Sequence, residues 1–85
     1  MNFTNHAKLK LSLYGVSEEE VNRNSSSVLF DCEDVVEDSR ILIIIMHETH
    51  FALVCSKILD RVITIYTTDL TTINNRRKSG RWDCH

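Results

Sequence analysis

Eighty-five residues carry 42% hydrophobic and 26% charged side chains, no proline, two glycines and three cysteines. That length and balance exclude a disordered chain and allow one domain, residues 1–85, with a radius of gyration of about 12 Å and modest stability. The formal net charge of -2 conceals an uneven spread: Glu18 to Asp38 holds eight acidic residues against the single Arg23, and the rest of the chain is basic by nine to four. Such an asymmetry matters to partners, which feel local potential, although charge runs are most often solvated faces.

Met1-Asn2-Phe3-Thr4-Asn5 has neither the basic region nor the apolar core of a signal peptide, which makes a reducing cytoplasm the expected compartment. Asn5 as a cap predicts a first helix from His6 to about Tyr14, with Gly15 as its left-handed stop and Leu9, Leu13 and Val16 as a thin apolar stripe. Ser17 and Glu20 have the spacing of a reciprocal capping box, so a short second helix is expected through roughly Arg23. Its three leading carboxylates suit the positive end of a helix dipole. Asn24-Ser25-Ser26-Ser27 breaks it, Val28-Leu29-Phe30 reads as a short strand, and Asp31 to Ser39 reads as a mobile acidic connection.

The run Ile41-Leu42-Ile43-Ile44-Ile45-Met46 is the densest apolar stretch and reads as a strand buried on both faces, because β-branched side chains favour the pleated surface. It is too short to cross a membrane, which needs about twenty apolar residues. A polar turn around Glu48-Thr49 leads to a second strand from His50 to Ser56, and Leu59-Asp60 leads to a third, Arg61 to Thr67. Asp69 caps a last helix from Leu70 to about Lys78, with Gly80 just past its end. Leu70 and Ile73 are placed to pack that helix on the sheet, and Cys84-His85 is expected to be disordered. The fold class expected is therefore α+β: an antiparallel sheet of three to four strands in a meander, two N-terminal helices and one C-terminal helix, with the helices on one face.

Chemistry is expected to come from the two ends. His6 and Lys10 are four apart and lie one above the other on a helix. Arg76, Arg77, Lys78 and Arg81, with Trp82 beside them, combine cations for phosphate with an aromatic face for a base. If the ends meet, His6 or Lys10 takes the proton of a ribose 2′-OH while the arginines hold the charge developing on phosphorus, with no metal or cofactor. The competing reading is local packing by His6 and a solvated helix end. Tyr66 offers a phenol to phosphate or, more plainly, half-buried packing, as does Tyr14. The three cysteines lack Cys-x-x-Cys spacing and Cys55 falls in a buried strand, so neither a disulfide framework nor a zinc site is expected. His47-Glu48-Thr49-His50 is one residue short of the zinc-protease pattern and lies in a turn, so it is not expected to bind metal, though two histidines flanking a tight turn are placed to face each other across the hairpin.

His6-Ala7, Lys10 and Gly15-Val16-Ser17-Glu18-Glu19-Glu20-Val21 resemble the opening of a family of small prokaryotic proteins of uncharacterised function that read His-Ala, basic residue, Gly-Ile-Ser, acidic run, Val. Tyr66-Thr67-Thr68-Asp69 and Gly80-Arg81-Trp82 are similar to that family's close. Such proteins resemble the RelE, ParE and BrnT toxins of bacterial toxin-antitoxin pairs. The resemblance implies a compact sheet flanked by helices, a metal-free ribonuclease or growth-inhibiting activity on mRNA, RNA or the ribosome as target, and an antitoxin partner. By carry-over His6, Lys10, Arg77 and Arg81 are the catalytic candidates and Arg76, Lys78, Trp82 and Tyr66 the RNA contacts. Tyr14 stands where that family tends to have an arginine, and the net acidity differs from ribosome-dependent toxins. A different expectation is a non-catalytic protein-binding module that uses the acidic loop or an exposed sheet edge.

Overall fold

A computed structural model describes residues 1–85. The chain runs β1 (Asn2–Phe3), α1 (Asn5–Tyr14), α2 (Glu18–Asn24), β2 (Phe30–Asp34), β3 (Ser39–Met46), β4 (Thr49–Cys55), β5 (Arg61–Thr68), α3 (Leu70–Lys78) and β6 (Trp82–Cys84). All six strands form one sheet in the order β1-β5-β4-β3-β2-β6. Strands β2 to β5 make an antiparallel meander, β6 adds antiparallel to β2, and β1 adds parallel to β5. The expected sheet of three to four antiparallel strands is thus corrected to six mixed strands. The helical arrangement is corrected with it, since β1 precedes α1, β6 follows α3 and both ends of the chain are strands.

The helices also lie on two faces. Side chains alternate across a pleated strand, and the alternation in β3 divides the core. Leu42, Ile44 and Met46 join Phe51, Leu53, Val62 and Ile65 on one face, beneath Ala7 and Leu11 of α1 and Val21 of α2. Ile41 and Ile43 join Cys32 and Ala52 on the other, with Ile73 of α3 and Trp82 of β6. A meander this apolar on both faces needs cover on both, and one layer of helices leaves Ile41 and Ile43 in water.

Local signals explain most boundaries. Thr4, not Asn5, caps α1: its hydroxyl accepts from the Ala7 N–H and donates to the Ile63 carbonyl, tying the helix start to β5. Gly15 closes α1 at φ 68°, its N–H reaching the Leu11 and Ser12 carbonyls. The capping box of α2 is formed, with the Ser17 hydroxyl accepting from Glu20 N–H and the Glu20 carboxylate accepting from Ser17 N–H. The buried positions of α1 are Ala7 and Leu11, with Val16 just beyond, whereas Leu9 and Leu13 are 60% and 72% exposed. The apolar stripe therefore runs one turn-face away from the expected one. Leu70 is likewise turned outward, leaving Ile73 as the buried residue of α3.

The acidic connection is ordered rather than loose. Phe30 to Asp34 pairs with both β3 and β6, and Val35 to Asp38 forms the turn into β3. Cys84 is in β6, not a disordered tail, and forms a disulfide with Cys32 across 52 residues, correcting the expectation of no disulfide. The two cysteines are directly opposed in the β2–β6 ladder, a neighbour relation invisible until β6 is recognised as a strand. His47 and His50 do not face each other, since His50 pairs with Ile45 and His47 occupies the turn. His47 instead meets the Glu20 carboxylate at 2.7 Å.

Candidate nucleic-acid interface

Asp69 starts α3 by accepting from the Thr72 N–H at 2.7 Å, and the helix carries Arg76, Arg77 and Lys78 into its last turn, where the negative end of its dipole favours them. Packing aims two of these cations. The Arg76 guanidinium lies 5.3 Å from the Trp82 ring centre and that of Arg77 lies 4.9 Å from the Phe30 ring, both within cation–π range. The fold's ion pairs engage Arg40, His47, Lys57, Arg81 and His85. Arg76, Arg77 and Lys78 have no carboxylate partner; Arg77 and Lys78 are exposed, and Arg76 is partly covered where it lies over the Trp82 ring. A cleft of about 430 Å³ beside them is lined by Asn74, Arg77, Lys78, Trp82 and Asp83.

Arg81 follows the helix and turns back toward the sheet. Its Nε is 3.5 Å from Asp34 Oδ2, an ion-pair contact without hydrogen-bond alignment, and its Nη2 is 3.8 Å from Glu37 Oε1. Asp34 is buried and fully engaged. Its Oδ1 accepts from the Val36 and Glu37 N–H groups, and its Oδ2 accepts from the Trp82 indole. Burial pushes its carboxyl pKa up, but the two turn amides, the indole and the Arg81 charge outweigh that, and it lies below the ordinary value. Tyr66 is half-buried among the same groups; burial raises its phenol pKa, Asp34 adds to the rise, and the Arg76 and Arg81 charges oppose it.

The structure therefore brings Tyr66, Arg76, Arg77, Lys78, Arg81 and Trp82 to one side of the sheet. It does not bring His6 and Lys10 there. Both are on α1, which packs on the opposite face; His6 is exposed and Lys10 Nζ lies 5.4 Å from the Tyr14 ring. The sheet stands between the two halves of the expected site, so within one chain the imidazole and Lys10 cannot share a phosphate with the arginines. Trp82 is 2% exposed, with Arg76 over its ring, so it is a packing residue and anchor for Arg76 rather than an open surface for a base. Tyr14 packs edge-on against Phe51 at 5.6 Å.

Sequence reasoning missed Asp34 and Glu37, which shape the surroundings of Arg81. The available signal was the alternation Phe30-Asp31-Cys32-Glu33, a period-two pattern ending in an aspartate suited to a turn. No group of three or more His, Cys, Asp or Glu side chains is arranged to hold a metal ion. No helix is long and apolar enough to cross a membrane. Comparisons of the chain with models of protein families, with curated proteins and with solved structures find no match.

Proposed function

We propose that this chain is a toxin-like RNA-acting protein whose RNA surface is the α3–β6 face alone. The observation that carries the reading is the set of three cations, Arg76, Arg77 and Lys78, with no carboxylate partner, two of them oriented by aromatic rings. Guanidinium groups held in this way are suited to phosphate oxygens. For metal-free cleavage, the ribose 2′-OH gives its proton to water and its oxygen bonds to the adjacent phosphorus as the P–O5′ bond breaks, while Arg76 and Arg77 offset the charge on the phosphorane. Burial keeps the Tyr66 phenol protonated, so it donates to the departing 5′-oxygen rather than acting as base. His6 and Lys10 have no part in this version.

The test is expression of the chain without a partner in bacteria, followed by labelled single-stranded RNA with the purified protein. Growth arrest and fragments ending in a cyclic phosphate are expected, lost in Arg76→Ala/Arg77→Ala and kept in His6→Ala/Lys10→Ala. Three or four phosphate contacts predict a log-log salt slope of about -2 to -3 for binding. Absence of RNA binding in low salt ends the reading. The reading implies an mRNA target, on or off the ribosome, and an antitoxin as its protein partner.

The second reading, a protein-binding module, draws support from Leu9 and Leu13 facing solvent together on α1. Capture of a partner from cell extract by the wild type but not by Leu9→Asp/Leu13→Asp favours it, and equal recovery by both counts against it.

A further inference from the structure

The nine-residue α3 is about 13 Å long, whereas the eight-residue β3 and β5 run about 26 Å, so α3 covers only part of its face of the sheet. The uncovered part is a recess of about 350 Å³ with Ile41, Val54, Ile63 and Tyr66 in its wall and Glu37 and Arg81 at its rim. That volume is near the lower end of the roughly 300–1,000 Å³ of small-molecule sites, enough for one nucleoside and too little for two. A floor of aliphatic side chains and one phenol, with the Ser39 and Thr64 hydroxyls and the Asp34 carboxylate also in the lining, accepts a flat base that carries polar edges. It has no use for a bare phosphate.

The rim decides which face. Asp34 is spent on the turn amides, the Trp82 indole and Arg81, and these bonds fix where Arg81 starts and where Glu37 sits. Glu37 is different: its side chain is 66% exposed and its one polar side-chain contact is the 3.8 Å approach to Arg81 Nη2. A free carboxylate and a guanidinium therefore stand side by side over that floor. The wall is held by strand pairing and the backbone of the rim by the Asp34 bonds to the Val36 and Glu37 amides and by the Val35 N–H bond to the Arg81 carbonyl, so this frame exists before a ligand arrives.

We propose that this recess is a guanine-reading subsite, with Glu37 accepting from N1–H and the N2 amino group and Arg81 donating to O6. It rests on the RNA reading above and names the base that reading leaves open. Among the four RNA bases, guanine alone presents two adjacent N–H donors beside a carbonyl on its Watson–Crick edge. Adenine and cytosine set a ring acceptor beside their amino group, which repels a carboxylate oxygen. Uracil has a single donor between two acceptors. Reading an unstacked base by its Watson–Crick edge is how proteins gain sequence preference on single strands.

The test is fluorescence anisotropy with the pentamers UUGUU and UUAUU, together with competition by GMP and AMP. Wild type is expected to bind UUGUU about tenfold more tightly than UUAUU, the scale of one bidentate base contact. Glu37→Gln replaces one acceptor oxygen by an N–H donor and is expected to bring UUGUU to the UUAUU level. Arg77→Ala lies outside the recess and is expected to weaken both pentamers equally. Equal affinity for the two pentamers in the wild type, or a preference that survives in Glu37→Gln, overturns the guanine subsite and leaves the RNA reading standing. Binding of GMP over AMP without binding of either pentamer supports the recess and defeats the RNA reading. No binding of any of these probes overturns both.

Discussion

At the scale of single residues, Asp34 does the most connecting. One carboxylate holds the β2–β3 turn through two backbone amides and β6 through the Trp82 indole, with Arg81 offsetting its charge. Asp34→Ala leaves buried donors unsatisfied at both ends and is expected to cost about 2–4 kcal/mol, read as a fall of about 10 °C or more in the melting temperature. Because the folded carboxyl titrates below its ordinary value of 3.8, its stabilisation is complete above that pH and is lost as pH falls through the lower folded value. Urea unfolding at pH 7 and pH 3 checks this: the wild type loses more stability than Asp34→Asn across that interval. Equal losses remove Asp34 as the linked group.

Cys55 provides a second residue-scale expectation. Burial pushes its thiol pKa up to about 12, with a smaller opposing effect from Arg40, so almost no thiolate exists near neutrality. With Cys32 and Cys84 paired, the native protein is expected to take up no iodoacetamide at pH 8, and one equivalent once unfolded in urea without reductant. Rapid native labelling sinks the expectation.

Elements were legible where one strong local signal acted alone. The Ile41 to Met46 run, the Ser17 and Glu20 capping box, the Asp69 cap and Gly15 all appear in the roles their chemistry dictates. Elements were missed where position depended on a partner far along the chain. β1 has two residues and β6 three, too few for any periodicity, and they exist because β5 and β2 offer unpaired edges. The phase of α1 was misread for a related reason: Leu9 and Leu13 repeat every four residues, as do Ala7 and Leu11. The alternative that buries Ala7 lets the helix backbone approach the sheet closely, a preference that hydrophobicity alone does not reveal.

The β3–β4 turn is an element carrying local strain. His47 and Glu48 both have positive φ, 51° and 61°, between the paired Met46 and Thr49, which is the backbone of a two-residue primed hairpin turn. Neither residue is the asparagine or glycine that this turn favours, and the left-handed conformation costs about 1–2 kcal/mol for an ordinary side chain. His47 has a compensating bond to Glu20, but the Glu48 side chain has none. Glu48→Gly is therefore expected to raise stability by about 0.5–1 kcal/mol after allowing for the looser unfolded chain, seen as a rise of a few degrees in the melting temperature. A fall instead means that the turn conformation is not the strained one.

At the scale of the molecule, the sheet acts as a partition. His6 and Lys10 looked like partners of the C-terminal arginines because sequence shows charges but not faces, and the helices that carry them lie on opposite sides of the sheet. The residues around Arg81 were gathered by a different device, the attachment of β6 at the sheet edge. Three strand residues form only a short ladder with β2, so much of the hold falls to the Trp82 side chain and to the Cys32–Cys84 bond. A cross-link over 52 residues restricts the unfolded chain by about 4 kcal/mol in the chain-entropy account. Reduction is therefore expected to cost about 2–4 kcal/mol and to loosen β6 before the rest of the sheet. Trp82 is the sole tryptophan, so its emission reports on this end alone. With dithiothreitol, or in Cys84→Ser, the emission is expected to shift to the red and RNA affinity to fall, because Arg76 loses the ring that orients it. The α1 face, held by β1 and β5, is expected to keep its hydrogen-exchange protection. Unchanged emission and melting temperature after reduction would mean that the Trp82 and Asp34 contacts hold the strand without the bond.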